Sequence, residues 1–382
     1  MTITRACYCS RQQAMRAVDF ADGVDQNDAT DRAIETASVN IDREMHRRFY
    51  PVDATIYADW PNQGGSGGGQ YGNPWRLWLD QFDCVVLTSL VTGGQTITLD
   101  KVFLEPVNHP AEGKPWYEYI ELDRSTSAAF GGNSLSPQHS IVLAGTWGYG
   151  ADADPAGQLA ASMGSGDTTM TVTDGSKTGV GDLLVLGYGR GSAPYPSSLG
   201  YAGALAPYTG ERVLVTDVAM VSTGVTFSGP ATASDADNVL AVPDGTQFAA
   251  GEVLLLDAER MLITEITGNS LVLRRAWDGT VLAAHTSGTI YAARLLSVTR
   301  AMYGTTAASH SSSAAIYRHR VPPLIRDLAV AEAVNQVLQE GSGYARTVGS
   351  GADAHPAPGA DLASKWDEAT TAHGRKARVR AV

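Results

Sequence analysis

The chain has 382 residues, a length that predicts two or three domains rather than one. Hydrophobic residues make up 43% of it and charged residues 18%, which excludes wholesale disorder and allows large cores. The net charge is −12, but four cations stand among the last twelve residues, so the rest of the chain sums to −16. An acidic body repels a nucleic-acid backbone, which argues against a protein that grips DNA or RNA with its main surface.

Neither a membrane span nor a secretion signal is predicted. No apolar run approaches the roughly eighteen residues of a membrane helix, and residues 1–13 lack the apolar core of a signal peptide. The three cysteines, Cys7, Cys9 and Cys84, form an odd set that fits neither a disulfide framework nor a zinc site. Reduced thiols agree with a protein made in a bacterial cytoplasm, and we expect no metal or other cofactor.

Two helices are predicted at the amino-terminal end. Ser10 and Gln13 have the spacing of a capping box, so a short helix should follow and run to about Phe20. A second helix, from about Asp28 to Arg48, carries apolar residues at spacings of three and four, which predicts one buried face. That face consists of Ile34, Ala37, Ile41 and Met45.

From Tyr50 onward the pattern is typical of short strands separated by turns. The predicted strands begin near Thr55, Cys84, Gln95, Lys101, Tyr117 and Ser140. Between the first two lies the Gly-rich stretch 62–73, which predicts a flexible loop. We interpret these strands as a small β-element attached to the helices.

The segment 157–317 is rich in Gly, Ser, Thr and Val and has almost no helical periodicity. It also repeats itself, because residues 172–186 match residues 242–256 and each copy continues into a strand that begins with Glu-Arg. Such a duplication predicts an inserted all-β domain without a catalytic cleft. Its two related modules are placed at about 157–235 and 236–317.

A second, shorter repeat lies downstream, where the stretch from Arg275 to His285 matches the stretch from Arg300 to His310. The two histidines hold equivalent repeat positions and have no Cys or carboxylate partner at metal-ligand spacing. We therefore expect them to serve a turn or packing role rather than to bind a metal. A Gly-rich string at Gly187 lacks the third glycine of a dinucleotide fingerprint and precedes a Pro/Ser-rich loop, so it does not predict a phosphate site.

After the insertion the helical pattern returns. Pro322 and Pro323 suit a first helical turn, and an apolar stripe follows until Gly341. The stripe comprises Leu324, Leu328, Ala331, Val334 and Leu338. A linker rich in Gly, Ala and Pro (349–360) then leads to a last short helix and the basic tail.

Together these patterns predict an α+β chain in which one discontinuous domain hosts another. Residues 1–156 and 318–382 would form a helical bundle with a small β-element, and residues 157–317 would form the inserted all-β domain. The helical ends must then pack against each other across the insertion, whose own ends lie close together.

Several strings in the two flanks carry a resemblance to a known family. They are Asp31-Arg-Ala-Ile-Glu-Thr-Ala-Ser, Arg47-Arg-Phe-Tyr-Pro51, Asp59-Trp-Pro61, Pro74-Trp-Arg-Leu-Trp-Leu-Asp80, Gly145-Thr-Trp-Gly-Tyr149 and Val321-Pro-Pro-Leu. In this order they resemble the head–tail connector (adaptor) family of long-tailed bacteriophages, particularly versions from phages of actinobacteria. The resemblance covers about 1–150 and 318–382.

The resemblance implies a structural protein of the virion neck, made in the host bacterial cytoplasm, that catalyses nothing. It implies a homo-oligomeric ring of about twelve copies between the portal protein and a stopper or tail-terminator protein. DNA would pass through the lumen of the ring without sequence-specific binding. The inserted β-modules depart from minimal members of the family, and the resemblance gives them no role.

Two sets of residues are predicted to make contacts in such a ring. The second helix carries charges of both signs, which suit a head-to-tail contact between subunits: Arg32, Glu35, Asp42, Arg43 and Arg47. The carboxyl-terminal segment places an aromatic anchor beside positive charge, which suits docking on an acidic groove of the portal: Leu362, Trp366, Arg375, Lys376, Arg378 and Arg380. Alternatively, Trp366 packs on its own core and the cations are solvated.

Other features also have two interpretations. The tryptophans at positions 60, 75, 78 and 147 could form a sugar-binding platform, but aromatics more commonly pack in cores and interfaces. Arg43, Arg47 and Arg48 could line a DNA channel or form surface pairs. The alternative function is a receptor- or glycan-binding decoration protein of the virion surface, which would need neither the helical flanks nor the basic tail. A hydrolase has no supporting constellation of residues.

Overall fold

A computed structural model describes residues 3–17, 24–60, 75–79, 82–108, 114–131, 138–190, 208–341, 347–348, 355–356 and 362–376. Among these residues, strands account for 41% and helices for 23%. Every strand pair is antiparallel. The predicted fold, a connector domain dominated by a helical bundle, is therefore wrong. Strands outweigh helices in the described residues, 41% against 23%, and the helices form a minor layer beside the sheets.

Four α-helices lie in the described residues: α1 (Arg11–Ala17), α2 (Val24–Met45), α3 (Pro323–Gly341) and α4 (Leu362–His373). They share one apolar core, so the two flanks meet across the insertion. The predicted buried face of α2 is confirmed, because none of its four residues is more than 1% exposed. The capping box is also confirmed: Gln13 N donates to Ser10 Oγ (3.3 Å), and Ser10 N donates to Gln13 Oε1 (3.0 Å). No helix of the described residues is long and apolar enough to cross a membrane.

The apolar stripe predicted for α3 is wrong, because the buried face of the helix is displaced by about one residue from the predicted face. Leu328 is fully buried as predicted, but Leu324 is 38% exposed. The buried stripe is Ile325, Leu328, Ala329, Ala333 and Val337. Apolar residues at spacings of three and four occur on two adjacent faces of this helix, so periodicity alone did not distinguish the faces.

Two antiparallel sheets follow α2 in the sequence and form a sandwich. Their strands are β1 (Val52–Ala58), β2 (Arg76–Trp78), β3 (Cys84–Thr92), β4 (Gln95–Ile97), β5 (Val102–Glu105), β6 (Tyr119–Leu122) and β7 (Ile141–Trp147). One sheet has the order β1-β7-β3-β4 and the other the order β2-β6-β5. Both contribute to one core, in which Leu87 and Leu143 of the first sheet lie with Ile120 of the second. The predicted small β-element is therefore a complete sandwich with its own core.

The insertion forms a ten-stranded sheet, and its described residues contain no α-helix. The strands are β8 (Ala153–Gln158), β9 (Thr169–Thr171), β10 (Leu183–Arg190), β11 (Tyr208–Ala231), β12 (Val239–Ala241), β13 (Val253–Leu256), β14 (Glu259–Thr267), β15 (Ser270–Arg274), β16 (His285–Thr299) and β17 (Ala315–His319). Their order is β12-β15-β14-β13-β16-β11-β10-β17-β8, and β9 pairs with β16. Two further short strands, β18 (Thr347–Val348) and β19 (His355–Pro356), pair with each other.

The register of this sheet describes one module nested inside another. We name residues 153–217 with 294–319 the outer module, and residues 218–293 the inner module. In the outer module Val215 pairs with Val298 and a one-residue register shift follows. In the inner module Ile263 pairs with Leu273 and the same shift follows. The two modules thus have equivalent strands with equivalent irregularities.

Nesting explains the two long strands of the sheet. Strands β11 and β16 pair along most of their length, and each belongs partly to the outer and partly to the inner module. The inner module therefore stands where the outer module would otherwise have a simple hairpin turn. This arrangement differs from the predicted consecutive modules of about 157–235 and 236–317, because residues 294–319 complete the first module rather than the second.

Each module has a separate apolar core, and among the described residues no buried one is shared between the two cores. The outer module also joins the helical layer, since Val180, Leu183 and Leu214 lie in the helical core. A turn of the outer module contacts the sandwich and the amino-terminal segment, where Tyr303 stacks on Tyr50 with 4.6 Å between ring centroids. Independent folding of the whole insertion stays a prediction.

The same group of Glu, Arg and His, here called a node, closes each module, and all three of its members are buried in the inner module. The inner node is Glu259, Arg275 and His285, and the outer node is Glu211, Arg300 and His310. In the inner node Arg275 donates twice to Glu259, with both distances 2.7 Å, and His285 Nε2 lies 2.9 Å from the same carboxylate. The amides of Ala276 and Ala283 also donate to it, at 2.9 and 3.0 Å. Five donors therefore converge on one carboxylate.

The outer node repeats this arrangement. Arg300 donates to Glu211 at 2.5 and 2.6 Å, and His310 Nε2 lies at 3.0 Å. The amides of Ala301 and Ala308 complete it, at 3.2 and 3.1 Å. Each histidine thus contacts the carboxylate of its own node, and His285 also lies 2.7 Å from Asp257 through Nδ1. Burial raises the pKa of Glu211, but the arginine, the histidine and the two amides outweigh burial and lower it to about 2.

Candidate partner-binding site

A recess of about 810 Å³ opens between the carboxyl end of α2 and the edge of the sandwich. Its position follows from the end of α2. The helix ends at Met45, and His46 adopts a left-handed conformation (φ 53°) that turns the chain toward β1. This turn places Arg47 and Arg48 in the lining of the recess, together with the apolar residues Val52, Ala54 and Ile56 of β1.

The floor of the recess is a buried charge cluster. Asp83, whose side chain is 3% exposed, lies 3.2 Å from Arg47 Nε and 2.9 Å from Lys376 Nζ. Burial raises the pKa of Asp83 and lowers the pKa of Lys376, while the ion pairs oppose both shifts. Lys376 also donates its backbone N–H to the carbonyl of Met45 (3.2 Å). The segment that follows α4 is thus fixed to the end of α2.

Aromatic rings hold Arg47 in place behind the recess. Its guanidinium lies 4.4 Å from the Trp116 ring centroid and 5.4 Å from that of Tyr149. It also donates to the backbone carbonyl of His373 at the end of α4. Tyr149 Oη in turn lies 2.8 Å from His373 Nδ1. Arg47 therefore joins α2, the sandwich and α4, and is not available to a partner.

The mouth of the recess carries the excess positive charge. Four arginines and two aspartates line the recess, and the aspartates are Asp42 and Asp83. Asp42 is engaged within the chain by Arg5 and Tyr8. Arg43 is 67% exposed, and its one ion pair is with its exposed neighbour Glu44 at 3.4 Å. Arg48 is exposed and has no ion pair within the described ranges. Arg43 and Arg48 are thus the charges that face solvent.

The structure brings together three of the five residues predicted for a subunit contact: Asp42, Arg43 and Arg47. The interpretation of all five as an exposed face is wrong for Arg47, which is 8% exposed because Asp83 and two aromatic rings enclose it. Arg32 lies outside the recess, where it pairs with Glu340 at 3.5 Å. Glu35 also lies outside it and accepts a hydrogen bond from Thr4.

The residues predicted to dock on a portal lie in the carboxyl-terminal segment, part of which contacts the end of α2 and the floor of the recess. Leu362 and Trp366 are half-buried against the helical core, which is the alternative left open for Trp366. Arg375 is 51% exposed and pairs with Glu44 at 3.6 Å, and Lys376 pairs with Asp83. Arg378 and Arg380 lie outside the described residues. Docking on a portal stays a prediction.

The four tryptophans of the proposed platform are not assembled into one surface. Trp147 is buried in the sandwich core, and Trp60 and Trp75 are half-buried against it. Only Trp78 of the four is largely exposed, at 53%, beside the ring of Tyr119. The interpretation as core packing is therefore confirmed for Trp147.

Sequence reasoning missed Asp83, the residue on which the floor of the recess depends. An aspartate before a strand carries no signal of burial, because its two cationic partners lie far away in the sequence. It also missed Arg5, which pairs with Asp42. The two glutamates Glu211 and Glu259 were noticed only as part of a repeated Glu-Arg pair and not as the carboxylates of the nodes. The repetition of that pair, followed by Arg and His at matching spacing, was a signal that could have identified both nodes.

Neither node has the geometry of an active site. The Glu259 side chain is fully buried, and all five of its neighbours are donors supplied by the chain itself. Each node also fixes the turn that follows its arginine, which is a structural task. Within the described ranges no group of three or more His, Cys, Asp or Glu side chains is placed to hold a metal ion.

The floor of the recess gives a direct test of how the carboxyl-terminal segment is held. Lys376→Met should lower the free energy of unfolding by about 2 kcal/mol, because a buried ion pair with Asp83 is lost while Arg47 still compensates the carboxylate. Arg375→Met is the matched control and should change it by less than about 0.5 kcal/mol, since that pair is exposed. Denaturant unfolding of both variants measures the difference. Equal effects would contradict the assigned burial.

Comparison of the chain with protein-family models, with curated proteins and with solved structures finds no match.

Proposed function

We propose that this chain is a structural subunit of a bacteriophage neck: a head–tail connector that assembles as a ring between the portal and the tail-side proteins. DNA passes through the lumen of the ring in this proposal. The observation that carries it is the ordered set of strings that resemble the connector family, together with where the fold places several of them. The recess is the surface of the subunit that we assign to a neighbouring protein.

Strings far apart in the sequence support the proposal by converging on one cluster behind the recess. Tyr149 N donates to the carbonyl of Arg48 (2.8 Å), and the ring of Tyr149 lies 4.9 Å from that of Phe49. His319, just before the Val321-Pro-Pro-Leu string, donates through Nε2 to the carbonyl of Phe49 (2.7 Å). Val321 of that string and Tyr149 pack against the core that contains Phe49, so three of the strings contribute to a single packed unit. This is the behaviour expected of residues that define a shared scaffold rather than separate surface motifs.

The carboxyl-terminal segment remains part of the proposal, but fewer of its residues are assigned to direct contact with the portal. Leu362, Trp366 and Lys376 contact the chain's own core and recess floor, so they act by fixing the segment. Of the six residues predicted to touch the portal, Arg375, Arg378 and Arg380 are left for direct contact. Their charge would be attracted to an acidic partner surface.

Ring assembly is the expected result for purified particles. Images of disrupted particles should show about twelve copies in one closed ring at the neck, because a head-to-tail contact between unlike faces closes into a cycle. A single copy or a pair in each particle would overturn the proposal.

A second candidate, a virion surface protein that binds a receptor or glycan, is favoured by one observation. Trp78 lies exposed beside Tyr119 with 4.6 Å between ring centroids, and Arg76 lies over the same Tyr119 ring. Exposed aromatic rings next to charged groups suit a sugar face. The same images distinguish the candidates, because a decoration protein would be distributed over the capsid surface rather than gathered at the neck.

A further inference from the structure

Asp83 and Lys376, on the floor of the recess, bring a primary amine against a carboxyl group in a place that water scarcely reaches. Lys376 Nζ lies 2.9 Å from Asp83 Oδ1, and the two side chains are 11% and 3% exposed. The contact is not an ordinary hydrogen bond, because Oδ1 has no partner of hydrogen-bond geometry within the described part of the chain. The amine therefore touches the carboxyl group without being held along one of its lone pairs.

Backbone contacts fix both members of this pair. Asp83 directly precedes β3, and its carbonyl accepts a hydrogen bond from Gly148 N (2.9 Å). Lys376 N donates to the carbonyl of Met45 (3.2 Å), so neither side chain can withdraw far from the other. Two groups held in contact react as if at very high concentration, because the entropy of bringing them together has already been lost.

The surroundings favour the uncharged forms that amide formation requires. Burial is the largest influence on both groups: it raises the pKa of Asp83 and lowers the pKa of Lys376. A proton moved from the ammonium to the carboxylate leaves a neutral amine, which is a nucleophile, beside a neutral acid, which can lose water. Arg47 and Glu118 also act on the pair, and Lys114 engages Glu118 at 2.8 Å.

We infer that Lys376 and Asp83 join covalently through an amide bond between Nζ and Cγ. Nζ bonds to Cγ, and the bond from Cγ to Oδ1 breaks. Of the three ammonium protons, one stays on the new amide nitrogen and two leave with Oδ1 as water, so atoms and charge balance without any further reactant. Arg47 Nε, 3.2 Å from Oδ2, stabilises the negative charge that this oxygen carries during the attack.

The contacts of Arg47 also accommodate the product. Amide formation removes the carboxylate that compensates the Arg47 guanidinium. The guanidinium keeps the Trp116 ring at 4.4 Å and its hydrogen bond to the carbonyl of His373. The oxygen retained by the amide is a further acceptor for it. The arginine is therefore not left unpartnered by the reaction.

The amide ties the carboxyl-terminal segment to the sandwich by a covalent bond. Where Arg378 and Arg380 contact a portal, as the proposed function has it, a load on them passes to the body of the subunit without detaching α4. The bond itself does not rest on that function, because it is measured by mass and ring assembly is counted in images. The unfolding effect given above for Lys376→Met applies to a comparison with chains whose ion pair has not reacted.

Intact-mass spectrometry of the purified full-length chain tests the inference. We expect a mass about 18 Da below that calculated from the sequence, the loss of one water. Lys376→Arg keeps a cation on the recess floor but has no primary amine, so its mass should equal the calculated one. The matched control, Lys114→Arg, alters a lysine–carboxylate pair of similar length (2.8 Å) whose side chains are 36% and 35% exposed, and it should keep the loss.

Peptide mapping identifies the bond and separates it from other losses of water. An Asp-Gly pair such as Asp174-Gly175 can lose the same mass by closing a succinimide ring, but that ring joins no two peptides. Trypsin should release one fragment in which the peptide containing Asp83 is joined to the peptide containing Lys376. Circular dichroism checks the folding of Lys376→Arg, and the joined fragment of the unaltered chain decides the matter if that variant is unfolded. The inference is overturned if the unaltered chain has its full calculated mass, if folded Lys376→Arg still lacks the water, or if no joined fragment is found.

Discussion

Glu259→Gln is expected to lower the free energy of unfolding by about 3–5 kcal/mol, the range for breaking one partner out of a buried ion pair. Arg275, whose side chain is 2% exposed, would lose its ion-pair partner. The glutamine amide adds to the loss of stability, because all five groups that contact the Glu259 carboxylate are hydrogen-bond donors. One end of the amide would therefore point its own N–H groups at other donors.

The inner module provides a matched control on the same strand. Glu265→Gln makes the same chemical change at an exposed position of β14 and should alter stability by less than about 0.5 kcal/mol. The equivalent change in the outer node, Glu211→Gln, should destabilise in the same direction but by less. Its partners Arg300 and His310 are 8% and 11% exposed, so water can compensate them in part. Denaturant unfolding of the three variants gives the ranking.

The same variants should differ in their response to acid. Burial raises the pKa of Glu259, but Arg275, the two amides and His285 outweigh it and lower the pKa from its ordinary 4.5 to about 2. A carboxylate with a lowered folded-state pKa contributes stability above its unfolded pKa and loses it as the pH falls toward the folded value. The unaltered chain should therefore lose stability between about pH 4.5 and pH 2 by this route. Glu259→Gln removes that contribution, so its stability should fall less steeply across the same interval.

A second group adds to the acid response at a different pH. Burial lowers the pKa of His319 from 6.5 to about 4, and its Nε2–H donates to the carbonyl of Phe49. A histidine kept neutral by burial loses stability as the pH falls from 6.5 to 4. His319 therefore contributes between about pH 6.5 and pH 4, where Asp182, whose pKa burial raises to about 6, acts in the opposite direction. The nodes contribute down to about pH 2. If Glu259→Gln and the unaltered chain lose stability in parallel below pH 4.5, the ionised node is not what the structure describes.

Local features of this fold could be predicted because the interactions behind them are local. The capping box at Ser10 and the buried face of α2 depend on residues within one or two turns, and both were confirmed. The stripe on α3 was wrong because two of its faces are apolar, and packing of α1 and α2 selects between them. Helix periodicity carries no information about which partner a helix meets.

The size of the β-structure was not predictable in the same way. Six of the seven strands of the sandwich, all but β2, were visible as short runs, but pairs such as Ile56 with Leu143 join residues far apart in the sequence. The recess has the same origin: Asp83 is buried only because Arg47 and Lys376 arrive from opposite ends of the chain. A charged residue is stable in such a place only with these partners, so no window of sequence around Asp83 could reveal it.

The nesting of the two modules was visible in the sequence but was interpreted incorrectly. Two consecutive modules would place both halves of one copy before both halves of the other. The repeat instead runs 172–186, 242–256, then the Arg275 stretch, then the Arg300 stretch. The register pairs the first of these with the last, so the order itself indicates an insertion of one copy within the other.

Removal of the inner module is expected to leave a folded chain if residues 220–294 are replaced by the dipeptide Gly-Asn. Ala219 pairs with Leu295 in the outer module at the position where Thr267 pairs with Ser270 in the inner module. In the inner module those two residues are joined by Gly268 and Asn269. Gly268 has a φ of 59°, which glycine adopts without strain. The dipeptide therefore transfers a turn that the same strand pair already uses.

The transferred turn should also restore the contacts that the excision removes. Asn269 accepts hydrogen bonds from Val242 N through its carbonyl (2.9 Å) and from Gly245 N through Oδ1 (3.1 Å). In the outer module the equivalent amides, Val172 N and Gly175 N, now donate to Arg294 O (2.9 Å) and Glu252 Oε1 (3.1 Å), both of which would be lost. The new asparagine stands where it can accept from both.

The shortened chain should be soluble and unfold cooperatively, with a free energy of unfolding within about 2 kcal/mol of the full chain, because shortening a surface connection costs little. No buried residue of the outer-module core or of the helical core lies within 220–294. The matched control deletes 236–317, the second of two consecutive modules, and joins the ends by the same dipeptide. That control removes Leu296, Val298 and the outer-node residues Arg300 and His310, so it should fail to fold. Circular dichroism and denaturant unfolding of the two deletions decide the matter: a folded control and an unfolded nested deletion would show that the modules are consecutive.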